Sequence, residues 1–153
     1  MQYIAYLKAR GIFMNVSEMK CVMIFDESLP LGVIANTAAI MGASLGKMDP
    51  EVVGRTPIDK DGISHSGLIQ FPVPILKGDS EVICKIRNKA IENYDNEVDI
   101  IDFTDIAQKS MTYEDYMENY KNTSSNELTY LGITLCGNKK IINKLTGSLA
   151  LLR

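Results

Sequence analysis

The sequence contains no tryptophan, a single histidine and three cysteines, and it has no excess of basic residues. Cys21, Cys84 and Cys136 are odd in number, widely spaced and set among apolar residues, which fits neither a disulfide framework nor a zinc site. Sixteen Lys and Arg against nineteen Asp and Glu give a net charge of -3, without the basic excess that strong phosphate binding requires. We therefore expect reduced thiols, a cytoplasmic location and no nucleic acid as the default partner.

Long apolar runs are also missing. The opening residues MQYIAYLKARGIF are interrupted by Lys8 and Arg10, and their apolar stretch is too short for a signal peptide. We find no run of about 18 consecutive apolar residues. The sequence therefore predicts neither a signal peptide nor a membrane span.

The composition that remains is that of a globular domain. Of the 153 residues, 46% are hydrophobic and 23% are charged. Residues 1–18 are expected to form a short helical or extended arm with Gly11 as a stop, and residues 19–153 a single domain. The basic groups within residues 85–89 and 139–144 fall where helices are expected, and we interpret them as solvated helix faces.

Alternating strands and helices predict an α/β fold. The run KCVMIF (20–25) is apolar on both faces and indicates a central strand covered on both sides. LIQFPVPILKG (68–78) is the second expected strand, and the donors missing at Pro72 and Pro74 restrict it to a sheet edge. EVDIIDF (97–103) and ELTYLGITL (127–135) are the third and fourth strands. The first helix, with Met41 and Leu45 on its inner stripe, is expected to end at Gly46.

Four segments carry a family resemblance. KCVMIFDESLPLGVIANTAA, DKDGISHSG, DFTDIAQKSMTYEDY and LTGSLALLR together resemble the family catalogued as domain of unknown function 2000, over residues 20–153. That family is similar in fold to the second class of peptidyl-tRNA hydrolases. The resemblance implies a three-layer α/β/α sandwich with a mixed four-stranded sheet in the order 2-1-4-3, strand 4 being antiparallel. It also implies a homodimer.

The resemblance is incomplete at the residues that serve the hydrolases. Those enzymes carry lysines in the loop and first turn after strand 1, where a cation holds phosphate or polarises the ester. Here Gly32 matches the family glycine, but the positions that follow are Val33, Ile34 and Ala35. The missing lysines argue against peptidyl-tRNA cleavage by the same mechanism.

The candidate site lies where strands 1 and 3 end and strand 4 begins. Ligands usually bind open α/β sheets beyond strand carboxyl ends, beside helix N-termini. Asp26 and Glu27 are adjacent on an extended strand, so at most one of them faces a cleft. The acid that the hydrolases place after strand 3 is matched by Asp102 or Asp105. Our catalytic candidates at this end are therefore Asp26, Glu27 and Asp105. The ligand-binding candidates are Gly32, Asn36, Asp102, Thr104 and Tyr113. The alternative for each polar residue is turn and cap chemistry.

His65 is the remaining catalytic candidate because an imidazole titrates near neutrality. The alternative is a solvated loop residue, since its loop precedes strand 2 and begins at the other end of the sheet. Asp59 and Asp61 resemble part of a calcium loop, but Pro57 and Leu68 stand where ligand oxygens are needed. We predict no metal and no cofactor.

A tyrosine stripe lies in the segment between strands 3 and 4, which should overlie the cleft rim. Tyr113, Tyr116 and Tyr120 fall at helical spacing and either line a ligand pocket or pack internally. Cys136 ends strand 4 at the far end from the cleft and is not expected to act as a nucleophile.

Together these features predict a peptidyl-tRNA-hydrolase-like protein that binds a small or peptide-like ligand at the acidic end of the sheet. Hydrolysis assisted by a carboxylate or by His65 is the reaction such a site would catalyse. The alternative is a non-catalytic binding or regulatory module that recognises a partner at the same cleft. Convergence of Asp26 or Glu27, Asn36, Asp105 and His65 around one pocket would favour catalysis.

Overall fold

The computed structural model describes residues 6–9 and 12–153. Within the predicted arm, β1 (Tyr6–Ala9) and β2 (Ile12–Asn15) pair antiparallel. The stop predicted at Gly11 lies outside the described residues. A 3-10 turn at Val16–Glu18 leads from β2 into the main sheet.

The main sheet contains four strands: β3 (Met19–Asp26), β4 (Ile75–Gly78), β5 (Val98–Thr104) and β6 (Tyr130–Asn138). Their order across the sheet is β4-β3-β6-β5. β4 is parallel to β3, whereas β6 is antiparallel to both β3 and β5. This arrangement confirms the predicted α/β class, the order 2-1-4-3 and the antiparallel fourth strand.

Helices cover both faces of the sheet. They are α1 (Leu31–Met48), α2 (Ser80–Tyr94), α3 (Asp105–Lys109), α4 (Tyr113–Lys121) and α5 (Lys139–Thr146). Side chains alternate along β3, so Phe25 packs in a cluster with Met41 of α1, whereas Ile24 packs with Ile83 of α2 and Ile142 of α5. β3 is therefore enclosed on both faces, as its uninterrupted apolar sequence predicts.

The second predicted strand is shorter than expected. β4 begins at Ile75, so Pro72 and Pro74 lie in the approach to the strand and not in its ladder. The carbonyl oxygen of Pro74 still accepts a hydrogen bond from Met23 N at 3.0 Å. The predicted edge position is correct, but the prolines precede the strand because they cannot donate to a ladder.

The outer edge of β4 is covered by the C-terminal segment. Lys77 N donates to Ala150 O at 3.0 Å, and Leu152 N donates to Ile75 O at 2.9 Å. These bonds satisfy backbone groups that an edge strand would otherwise present to another chain.

The end predicted for the first helix is wrong. α1 passes through Gly46 and ends at Met48, and the N–H of Asp49 donates to Leu45 O at 2.9 Å. Met41 and Leu45 are buried as predicted, and Thr37 joins them on the inner stripe. A 3-10 turn at Pro50–Val52 follows, and another at Ser125–Glu127 precedes β6.

Candidate functional site

One end of the sheet gathers most of the predicted site residues. β3 ends at Asp26 and β5 at Thr104, and the antiparallel β6 starts beside them at Tyr130. α1 and α2 also begin at this end, directly after β3 and β4. Two hollows lie there, one on each side of the sheet end, and they differ in charge.

The first hollow is a cavity of about 330 Å³ between α1, the end of β5 and the α3–α4 segment. Ile40 and Met41 of α1 form one wall, and Phe103 and Ala107 form another. Tyr113, a predicted ligand-binding residue, stands at the mouth with 72% of its surface exposed. This volume is within the range of small-molecule sites, and such sites usually have apolar walls.

Hydroxyl groups form the polar part of this cavity. Ser44, Ser110 and Thr112 contribute to the lining. Ser110 Oγ donates to Ile106 O at 2.7 Å and accepts from Asn119 Nδ2 at 3.1 Å. Thr112 caps α4, because its Oγ1 accepts from the N–H of the third helical residue at 3.1 Å. Both hydroxyls are therefore held in place by the local structure.

The one charged residue among the described lining residues is Asp102, and its carboxylate is already paired. Arg87 Nε donates to Asp102 Oδ2 at 2.5 Å, and both side chains are about three-quarters buried, with 28% and 23% of their surfaces exposed. The cavity thus offers no free charge from its described residues. It suits a neutral ligand with an apolar body and hydrogen-bonding groups.

The tyrosine stripe divides between the two predicted roles. Tyr113 and Tyr116 line the cavity with ring centroids 5.3 Å apart. Tyr120 turns away from it and shares a 2.6 Å hydrogen bond with Thr104 Oγ1, which is fully buried. Burial, followed by the neighbouring Tyr120, raises the pKa of Tyr116 to about 12, so this phenol stays a neutral donor at physiological pH.

The second hollow is a groove of about 500 Å³ at the carboxyl ends of the parallel strands β3 and β4. Asp26, Glu27, Lys77 and Asp79 line it. Lys77 Nζ lies 3.1 Å from Glu27 Oε2. Asp26 forms a turn with Ser28, accepting from its N–H at 2.9 Å and from its hydroxyl at 2.6 Å. A cation therefore does reach this end of the sheet, from β4.

Asp105 joins the start of α3 to the residue that precedes β6 through its described contacts. Its Oδ1 accepts from Thr129 N at 3.1 Å and its Oδ2 lies 2.9 Å from Lys109 Nζ. Partial burial favours the neutral acid, but the Lys109 ammonium and the Thr129 N–H outweigh it and hold the pKa of Asp105 below its ordinary value. This carboxylate is therefore ionised, and both of its oxygens already have partners.

His65 belongs to a separate loop. Its Nε2 lies 3.0 Å from Asp59 Oδ2, and 58% of its side chain is exposed. The loop turns at Gly62, where φ is 84°, and it starts after Val52, which packs beside the first residue of β3. Since the other candidates lie where β3 ends, the base of the His65 loop lies at the opposite end of the sheet.

The remaining candidates sit on the first turns of α1. Gly32 and Asn36 are exposed, and nothing lies within 4 Å of the point where a Cβ would stand on Gly32. The structure thus brings Asp102 and Tyr113 to the cavity and Asp26 and Glu27 to the groove. It gives Thr104 and Asp105 structural partners and leaves His65, Gly32 and Asn36 apart.

Sequence reasoning missed two cations. The position of Lys77 could have been found from the strand pairing. β4 runs parallel to β3 and places Lys77 opposite Phe25, beside Asp26. The charge pattern predicts Arg87 on a solvated helix face, but Arg87 is largely buried against Asp102. Its guanidinium carbon lies 5.4 Å from the centre of the Tyr130 ring. Within the described ranges 6–9 and 12–153, no group of three or more His, Cys, Asp or Glu is placed to hold a metal ion.

Comparisons with known proteins agree with the fold. Residues 19–153 match the model of the family described as protein of unknown function, DUF2000. A solved structure of a protein of unknown function from Agrobacterium tumefaciens is similar to this chain, with a TM-score of 0.78 and 18% sequence identity. The match covers 88% of this chain and 97% of that one. No curated protein matches the chain.

Proposed function

Because this chain belongs to the DUF2000 family, whose description assigns no activity, we propose from its geometry that it is a ligand-binding protein with a peptidyl-tRNA hydrolase II-like fold. The ligand is a small, neutral, peptide-like or aromatic molecule. One observation carries the proposal: the cavity between α1 and the α3–α4 segment combines apolar walls with positioned hydroxyls and a neutralised carboxylate.

The distribution of the candidate carboxylates supports binding over catalysis. Asp26 is held by Ser28, Asp102 by Arg87 and Asp105 by Thr129 and Lys109. A general base must reach the proton it removes and a nucleophile or water beside it. Each of these three carboxylates has a local partner, and His65 pairs with Asp59 within its own loop.

The test is a titration of isotope-labelled protein with N-acetyl-phenylalanine amide, followed by amide chemical shifts. We expect shifts concentrated at Ser44, Ala107, Ser110 and Tyr113. Ala107→Phe fills the cavity and should abolish them, while Ala150→Phe, placed at the other groove, should not. Shifts that persist in Ala107→Phe, or that centre on the groove, would contradict binding in the cavity.

Hydrolysis at the groove is a second candidate, and Lys77 is the observation that favours it. Its ammonium lies 3.1 Å from Glu27 Oε2, in a groove that Asp26 also lines. The hydrolases use a cation for phosphate binding or ester polarisation at this end of the sheet. The assay is release of N-acetylated amino acid from tRNA by wild type, Lys77→Met and the surface control Lys85→Met. Loss of release in Lys77→Met alone would support hydrolysis. Release no faster than in buffer would exclude this substrate.

A further inference from the structure

β5 forms one edge of the main sheet. The strand order places it outermost, where it pairs with β6 alone among the described strands. The opposite edge, at β4, is covered by the C-terminal segment through Ala150 and Leu152. An edge strand presents backbone N–H and C=O groups that can pair with an added strand. The described sheet can therefore be extended at β5.

The hydrogen bonds of the central strands determine which backbone groups of β5 point outward. The N–H groups of Met23 and Glu27 donate to carbonyl oxygens of the β4 segment, at 3.0 and 3.2 Å. Successive residues of a strand direct their backbone groups to opposite sides, so Ile24 faces β6, where it lies opposite Ile133. Ile133 in turn faces β3, and the next residue, Thr134, faces β5.

The same alternation continues into β5. Thr134 lies opposite Ile101, so the backbone groups of Ile101 bond to β6. Those of Val98, Ile100 and Asp102 therefore point away from the sheet. Val98 is fully buried, whereas Ile100 and Asp102 are partly buried. Within residues 6–9 and 12–153, no hydrogen bond occupies the outward backbone groups of these last two residues. They leave two donors and two acceptors at this edge.

The cavity between α1 and the α3–α4 segment reaches the same part of β5. Ile101, Asp102 and Phe103 all line it. Their side chains alternate between the two faces of the sheet, since Phe103 packs with Met41 of α1 whereas the Asp102 carboxylate bonds to Arg87 of α2. A space that touches three consecutive strand residues also touches the strand backbone between them. The cavity and the outward groups of β5 therefore adjoin.

We propose that the ligand of this cavity is an extended stretch of peptide that pairs with the outer edge of β5. This inference rests on the proposed function and specifies its ligand. Residues directly opposite each other on paired strands share a face. Because Ile101 packs on the α1 face with Phe103 and Met41, the ligand residue opposite Ile101 directs its side chain into the cavity. The apolar walls favour a large apolar side chain there.

The charges of the cavity favour an internal stretch of peptide over a chain end. Asp102 is the only charged residue among its described lining residues, and Arg87 already neutralises it. A terminal ammonium or carboxylate would lose its hydration there without gaining a counter-charge. An uncharged stretch with a central apolar residue avoids that cost, and its backbone groups gain partners at Ile100 and the strand residue two positions on.

Amide hydrogen exchange tests the strand addition. The probe is the tripeptide serine-phenylalanine-serine with an acetylated N-terminus and an amidated C-terminus. At saturation we expect exchange to slow by about 10-fold or more at Ile100 and Asp102, whose N–H groups gain acceptors. The intervening Ile101, whose N–H already bonds to β6, should slow less. Equal slowing at all three, or none at any, would overturn the proposal.

N-methylation of the tripeptide, one residue at a time, is a second test that leaves the protein unchanged. A strand bonds its neighbour through alternate residues, so methylation should weaken binding by about 10-fold either at the two serines or at the phenylalanine, and not at both. An effect at the serines indicates an antiparallel ligand, and an effect at the phenylalanine a parallel one. Three equal effects, or none, would contradict strand addition.

N-acetyl-phenylalanine amide separates this inference from the proposed function. Shifts at Ser44 and Ala107 with that compound, together with equal effects in the methylation series, would retain the cavity as a ligand site and reject strand addition. No shift at these residues with either compound would reject both. The tripeptide with free, charged ends should bind at least about 10-fold more weakly than the capped form. Equal binding of the two forms would reject an internal stretch as the ligand.

Discussion

Arg87 of α2 and Asp102 of β5 are joined by a hydrogen bond of 2.5 Å between Nε and Oδ2, at the border of the cavity. The same guanidinium stacks near the Tyr130 ring, 5.4 Å from its centre. A neutralised carboxylate and a packed aromatic ring thus share one cation. Asp102 is the only charged residue among the described lining residues of the cavity, and Arg87 neutralises its charge.

Arg87→Met should reduce the free energy of unfolding by about 2 kcal/mol, because it leaves the largely buried Asp102 carboxylate without its partner. Urea denaturation at neutral pH measures the effect. Lys89→Met, an exposed change on the same helix, is the matched control and should shift the midpoint little. Equal midpoints for the two variants would show that the pair contributes nothing to stability.

Asp49→Asn should stabilise the protein at neutral pH. Asp49 is 4% exposed and its Oδ2 accepts no hydrogen bond. Burial, then the nearby Asp99 and Glu51, raises the pKa of Asp49 above its ordinary value. The unfolded state therefore loses this proton first as pH rises, so wild-type stability falls between the unfolded and folded pKa values of Asp49 and stays lower above them. Asparagine carries no such proton.

Thermal unfolding from acid to neutral pH checks this expectation. The gain from Asp49→Asn should be greatest at neutral pH and shrink towards acid pH, where both states of the wild type are protonated. A gain that is constant with pH would point to packing and not to ionisation.

Gly137→Ala should destabilise the sheet by about 2 kcal/mol, because overpacking a tight interior site forces backbone movement. A Cβ on Gly137 would stand 2.6 Å from Glu97 O and 3.3 Å from Val98 Cα, both backbone atoms of the neighbouring segment. Gly46→Ala adds the same methyl inside α1 with nothing within 4 Å, and should stabilise by up to about 1 kcal/mol. Calorimetric melting of both variants compares them, and equal melting temperatures would refute the steric argument.

Leu152→Asp should detach the C-terminal segment from β4. Leu152 packs against the cluster of Met23 and Phe25, and its N–H bonds to Ile75. We expect faster amide hydrogen exchange at Lys77, whose N–H donates to that segment, and a stability loss of about 2 kcal/mol. Leu151→Asp, at a neighbouring position that is 49% exposed, is the control. Similar exchange in both variants would mean that the segment is held by other contacts.

The sheet could be predicted because its signals are local and repetitive. β3 is apolar on both faces, and the family resemblance supplied the strand order that the pairing confirms. The length of β4 could not be predicted, because a proline such as Pro72 lacks a backbone N–H but does not determine at which residue the strand begins. Gly46 failed as a helix stop because a glycine interrupts a helix only weakly.

The candidate site was harder to predict because function depends on which side chains meet across the chain. The sequence predicts Asp102 from its place after a strand, yet its role follows from Arg87, a partner fifteen residues earlier on another element. Tyr116 and Tyr120 lie on the same face of α4, yet Tyr120 forms a hydrogen bond with Thr104. Helical periodicity predicts the face on which a residue lies but not the residues that this face contacts. Lys77 required the pairing of β4 with β3 before its position was defined.

The centre of the sheet has a consequence for how the chain folds. β3 pairs with β6 from Met19 opposite Asn138 to Phe25 opposite Gly132, so partners in the middle of the sheet are more than 100 residues apart in sequence. This separation gives the domain a high contact order. Closing so long a loop costs entropy before the contacts form, so we expect folding to be slow. A chain interrupted between residues 27 and 129 would leave each fragment without its central pair, so the domain should assemble in a single cooperative step.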